Sequence, residues 1–164
     1  MNKKRKLIVC ISLIVILVCI GIKSYKNSSY YIGSNSYITS QEDGQRTFVS
    51  NTNLKRSGNS ESFDFKGFSG KWSLIELNSS KNNKITIENS SKITSGKFYI
   101  AVLDSNYNLI AKKNLMKETG NLKFNTSKSG KYIIRIVGKD ANGSFNIKVN
   151  SSEKINVTHK DFFG

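Results

Sequence analysis

The 164-residue chain has no proline, one histidine, one tryptophan and two cysteines. Without proline, collagen-like and proline-rich fibrous chains are excluded. Both cysteines, Cys10 and Cys19, fall in the first twenty residues. The rest of the chain has none, which excludes a disulfide framework and a cysteine-based zinc site there. Acidic residues are scarce: 11 Asp and Glu face 26 Lys and Arg, a net charge of +15. Arginine is scarce too, at 4 against 22 lysines. Arginine is the residue that reads phosphate bidentately, and no nucleic-acid signature accompanies the charge, so nucleic acid is not an expected partner. A wholly disordered chain is excluded by 37% hydrophobic and 10% aromatic residues. What is abundant is polar and uncharged, with 19 asparagines and 24 serines.

The residues that do chemistry are also thin. There is no Gly-Lys-Ser/Thr phosphate loop, no Gly-x-Gly-x-x-Gly and no His-Glu-x-x-His. A nucleophile–histidine pair would have to use His159, which lies in the carboxy-terminal tail. Paired carboxylates would come from Asp64, Glu76, Glu88 and Asp104; Glu76 and Glu88 sit at polar alternation positions, the pattern of a solvated face. Asp104-x-Asn106-x-Asn108 matches the first three ligand positions of a calcium loop. Leu109 and Leu115 stand at its sixth and twelfth positions, so a hairpin turn explains it better. The expectation is no enzyme, no cofactor and no metal site.

The amino terminus is distinctive. Lys3, Lys4, Arg5 and Lys6 precede an apolar run over residues 7–22, LIVCISLIVILVCIGI, closed by Lys23. A basic head before an apolar run is the pattern of a secretory signal or signal anchor, with the basic end cytoplasmic and the chain after Lys23 outside. The anchor residues are Leu7, Ile8, Val9, Ile11, Leu13, Ile14, Val15, Ile16, Leu17, Val18, Ile20 and Ile22. Sixteen helical residues span about 24 Å against a hydrocarbon core of about 30 Å. The stretch before Ser24 lacks small residues at cleavage spacing, and Val18 before Cys19 is large for a lipoprotein signal. A retained single-pass anchor is the first reading; a cleaved signal, giving a secreted protein, and a lipoprotein stay open.

Residues 24–60 are rich in Ser, Asn, Gly and Tyr with no persistent period, which reads as a flexible linker with a coil reach of roughly 30–35 Å. The competing reading makes residues 46–50 an edge strand. Residues 61–150 then carry short β-branched and aromatic runs at 62–65, 71–77, 84–88, 97–103, 108–112, 121–125, 131–137 and 144–149. That spacing predicts an all-β, antiparallel sandwich, with residues 151–164 as a tail. The expected core holds Trp72, Leu74, Ile85, Ile87, Ile100, Val102, Ile134, Ile136, Ile147 and Val149. Strand 97–103 is apolar on both faces and so should be central or covered. Asn142-Gly143 and Asp104–Asn108 read as hairpin turns, and Gly70, Gly96, Gly120 and Gly130 as glycines of tight turns before strands.

Residues 129–149, SGKYIIRIVGKDANGSFNIKV, resemble the last hairpin of bacterial pre-peptidase C-terminal (PPC-like) domains, and residues 98–110, FYIAVLDSNYNLI, resemble the strand–turn–strand before it. The resemblance implies a jelly-roll-like sandwich over about residues 61–150. The turn lacks the family's Pro and Gly, and Ser95-Gly96-Lys97 stands where some relatives have an acidic calcium ligand. The resemblance therefore extends to the fold and not to that metal site.

With the charges at residues 3–6 and 23 set aside, 21 basic residues face 11 acidic ones, about +10. Such a field attracts anions at an envelope, either a wall polymer or glycan or the membrane itself. Lys71, Lys84, Lys97, Lys131 and Lys148 are expected to spread over several strands. Together these features predict a membrane-anchored, extracytoplasmic, non-enzymatic binding or adhesion module. The alternative is an accessory subunit of a membrane complex, docking a protein partner through the sandwich.

Overall fold

The computed structural model describes residues 2–26 and 28–162. The extreme ends of the expected anchor and tail, and Asn27, lie outside the described residues.

Helix α1 runs Lys3–Lys26. It outlasts the apolar run at both ends because its basic flanks are good helix formers. Its 24 residues span about 36 Å. The anchor side chains from Leu7 to Ile22 stay 46–67% exposed, so no part of the fold covers them. Ser12, the polar residue within the run, returns its hydroxyl to the Ile8 carbonyl at 2.9 Å, which removes a bare donor from the helix surface. By length and composition α1 is able to cross a membrane.

The expected flexible linker is instead ordered. Ser28 caps α2 (Ser29–Ile32) and Ser34 caps α3 (Asn35–Ile38), each hydroxyl accepting a backbone N–H three residues on. Each one-turn helix buries its last residue, Ile32 and Ile38, on the sandwich. Of residues 46–50, Thr47 makes an isolated bridge to Ser69 and Ser50 opens the strand β1 (Ser50–Ser57).

The remaining strands are β2 (Ser60–Ser79), β3 (Lys84–Asn89), β4 (Lys92–Asp104), β5 (Leu109–Asn114), β6 (Leu122–Asn125), β7 (Gly130–Ser151) and β8 (Asn156–His159). All pairings are antiparallel. The sequence divides β2 and β7 into two strands each, but both run on through bends and take part in both layers. In the first layer the order is β1, β2, β7, β3 and β6. In the second, the later half of β2 and the earlier half of β7 lie between β8 on one side and β4 and β5 on the other.

The bends coincide with register shifts in β2 between Phe65 and Phe68 and between Phe68 and Gly70. Gly67 and Gly70 there have φ of 62° and 117°, which side-chain-bearing residues rarely adopt. Asn142-Gly143 is accordingly no hairpin. Asn142 accepts the Gly67 N–H at 3.0 Å and donates to Ser95 Oγ at 2.7 Å, locking the bend of β7 to its neighbours. Gly70 and Gly96 lie inside strands, at these bends, rather than before them.

Every residue of the expected core is buried between the layers. An aromatic cluster fills one end: Phe65 stacks on Phe98 at 5.0 Å between ring centres, and Phe63 meets Trp72 and Phe145 at 5.6 and 5.1 Å. Such pairs contribute about 0.5–1.5 kcal/mol beyond area burial. Strand β4 is covered on both sides, as its pattern predicts: Ala101 and Leu103 join Ile133, Val137, Ile32 and Ile38 in a second cluster under α2 and α3. The expected tail is tied in as β8, paired with residues 75–78 of β2, and Phe162 packs on Trp72 at 5.2 Å.

Candidate functional site

The two outer faces of the sandwich differ. On the second layer, α2 and α3 cover an apolar patch pierced by one arginine. Arg135 is fully buried. Its Nη1 donates to the carbonyls of Ile38 and Ser40 at 2.6 and 2.7 Å, its Nε donates to Ser73 Oγ at 2.9 Å, and Nη2 lies 3.1 Å from Asp43 Oδ1. Burial pulls its pKa below the ordinary arginine range, against the opposing pull of Asp43, Tyr107 and Tyr37. Lys71 joins the cluster, contacting Ser40 Oγ with its ammonium 4.6 Å from the centre of the Tyr37 ring. Burial and the charge of Arg135 lower its pKa, with Asp43 and Glu42 opposing. Lys71 is therefore not one of the surface charges expected from alternation. Each cation here is spent holding the chain between α3 and β1 onto the sheet, a structural role.

The first layer leaves its outer face open. Register places Thr52, Asp64, Ser144 and Lys92 side by side across β1, β2, β7 and β4. Lys55, Ser62 and Asn146 form the next row. Ser50 and Lys66 extend it on the other side. Four strands at about 4.8 Å spacing make a trough roughly 14 Å wide. Two adjoining cavities of about 520 and 500 Å³ share Asp64 along it. The floor is hydroxyl and amide. Its aromatics, Phe63, Phe65 and Phe145, turn inward to the core.

The trough carries three lysines against one carboxylate. Asp64 accepts from Asn53 Nδ2 at 2.6 Å. The ammonium groups of Lys55, Lys66 and Lys92 make no ion pair and no hydrogen bond among the described residues, and all three are exposed. The folded part's arginines are committed elsewhere: Arg46 to Phe162 O, Arg56 to Glu61 and Asp161, and Arg135 as above.

The other residues weighed for chemistry do not converge. Glu76 pairs with Lys131 and Lys160 at 3.4 and 3.5 Å on the second layer, while Glu88 is exposed on β3 of the first. Asp104 turns the β4–β5 hairpin, accepting the N–H groups of Asn106 and Asn108 at 2.8 and 2.9 Å and Asn108 Nδ2 at 2.9 Å. Slight burial raises its pKa, but those bonds outweigh it and hold the carboxyl below its ordinary range. Its oxygens face N–H donors, which suits a turn and not a cation. His159 contacts the buried Glu61 at 2.8 Å and the Gly58 carbonyl at 3.0 Å. Among the described residues no group of three or more His, Cys, Asp or Glu is placed to hold a metal.

Sequence reasoning did not assemble the trough. Ser62, Asp64, Ser144 and Asn146 are legible as polar alternation, but Lys55 and Asn53 lay in the segment read as linker.

No protein-family model and no curated protein matches this sequence. Among solved structures, a family 35 carbohydrate-binding module from an environmental isolate is similar at 14% identity and a TM-score of 0.35, over 73% of this chain and 85% of that one. The layered antiparallel sheet seen here is a β-sandwich in its own right, built on the pairings described above.

Proposed function

We propose that this protein is a membrane-anchored, extracytoplasmic binding module of a bacterial cell envelope, without catalytic activity. The observation that carries the reading is the contrast between α1, apolar and uncovered along its length, and a sandwich whose open trough is floored by hydroxyl and amide groups and edged by lysines. A helix of that kind needs a non-aqueous surrounding, and a polar trough needs an aqueous one. The basic head before α1 favours an inside amino terminus, with the sandwich outside. The fold-level resemblance to PPC-like domains belongs to the same reading. Docking of a protein partner through the sandwich has less support: outside α1, the large exposed apolar side chains among the described residues are Tyr30, Val49, Leu54 and Met116, few for a hydrophobic docking face.

The test is topology and retention. Protease added to intact cells should digest everything beyond about Ser24, and the membrane fraction should hold the intact chain after alkaline extraction. Recovery of the sandwich from the cytosol would overturn the reading. A mature chain beginning after Ile22 would replace the anchor with a cleaved signal.

A further inference from the structure

We propose that the trough on the first layer is the binding site, and that its ligand is an anionic glycan. The inference rests on the reading above and adds the site and the ligand class. Three ammonium groups, Lys55 on β1, Lys66 on β2 and Lys92 on β4, surround the floor and have no partner among the described residues. The floor carries one acid, Asp64, which accepts a hydrogen bond from Asn53 and leaves the lysines in excess by two charges. Each lysine sits in a different row of the register, so the charges are staggered along the strands. From Ser62 to Lys66 the floor runs about 13 Å at the rise of a β-strand. This length suits a segment of an extended polymer.

The chemistry of the lining selects within polyanions. Nucleic acid on an open face is held by aromatic stacking and arginine, and this trough has neither. Neutral glycans bound without an aromatic platform would depend on hydroxyl and amide bonds that exchange against water at little net gain. A chain carrying both negative groups and many hydroxyls matches both parts of the lining. Its charges would meet the lysines as point charges, and its hydroxyls would meet Ser62, Ser144 and Asn146.

The experiment uses the full chain in detergent micelles, with polygalacturonate as the anionic probe and its methyl ester as the neutral counterpart. Binding to polygalacturonate should exceed binding to the ester and should weaken steeply as salt rises. The triple variant Lys55→Ala, Lys66→Ala, Lys92→Ala should bind polygalacturonate roughly a hundredfold more weakly at low salt. A matched variant, Lys81→Ala, Lys117→Ala, Lys154→Ala, removes the same charge from exposed positions away from the trough and should lose far less. Unchanged thermal unfolding of both variants keeps the comparison a binding measurement.

Equal losses in the two variants would overturn the site while leaving the binding module standing. Equal binding of the ester, or tighter binding of single-stranded DNA, would overturn the ligand class. No binding of either glycan at low salt would overturn the site and its ligand together. The topology test above is independent of all these outcomes.

Discussion

His159 Nδ1 lies 2.8 Å from Glu61 Oε2, joining the end of the last strand to the start of the second. Arg56 reaches the other carboxylate oxygen at 3.0 Å and also contacts Asp161 at 2.5 Å, so the fully buried Glu61 is held from two sides. Removing Glu61 leaves Arg56 and His159 without their buried partner, and Glu61→Ala should cost about 3–5 kcal/mol. His159→Ala should cost less, because Arg56 still covers the carboxylate. Thermal unfolding of the two variants checks the order; a larger loss for His159→Ala would show that Arg56 does not hold Glu61.

The segment between α1 and β1 belongs to the fold. Ile38 is fully buried against the second layer, and Ile38→Ala should destabilise by about 2–5 kcal/mol. An amino-terminal truncation beginning at Ser28 should unfold at a distinctly higher temperature than one beginning at Ser40, which keeps β1 but lacks α2 and α3. Equal midpoints would mean that α2 and α3 add nothing to the sandwich.

Asp104 gives a pH dependence with a definite sign. Its folded carboxyl is held below the ordinary value of 3.8 by the turn it bonds, so between the two values the unfolded chain binds more protons. Its contribution is complete above about pH 4 and is lost as pH falls through the lower, folded value. Asp104 is only partly buried, at a hairpin turn, so the effect is small. Asp104→Asn should flatten the acid limb of the stability curve and leave it unchanged near neutrality. Chemical denaturation across that range measures the difference.

Gly143 sits at a close approach of β7 to β4. A Cβ there would strike the Lys92 carbonyl and approach Ile93 Cα to 2.9 Å. Gly143→Val should therefore destabilise by more than about 1 kcal/mol and disturb the Lys92 wall of the trough. Amide exchange on β4 should accelerate at residues 92–95 and not at 100–103. Uniform exchange would place the damage elsewhere.

The same glycine shows what the sequence made legible. Asn-Gly between two apolar runs is strong hairpin chemistry, yet here the glycine is needed for a close approach between strands and the asparagine for side-chain bonds across the bend. Local turn propensity and interstrand packing call for the same residues, and only tertiary context separates them. The core was readable because Ile85, Ile87, Ile134 and Ile136 alternate with a strict period of two. The segment before β1 was not, because each four-residue helix buries a single residue, which is too few to establish a period. The tail was obscured in the same way, since β8 has four residues and presents polar neighbours. Of the trough, the floor follows from alternation, while its β1 wall depends on pairing across sequence that carries no pattern.

The grip of Arg135 on the carbonyls of Ile38 and Ser40 has a mechanical consequence. A pull on the amino-terminal helix enters the sandwich through α2 and α3, and continued along the chain it would reach β1 at Ser50. Drawn from that end, an edge strand peels one hydrogen-bonded pair after another, the weakest direction in which to load a sheet. After the buried Ile32 and the Lys112 bond to the Gly33 carbonyl at 3.0 Å, the tension meets Arg135, still ahead of β1. Arg135 stands on β7, which is paired on both sides, so the load passes sideways into the middle of the sheet and must shear several strands together before β1 is touched.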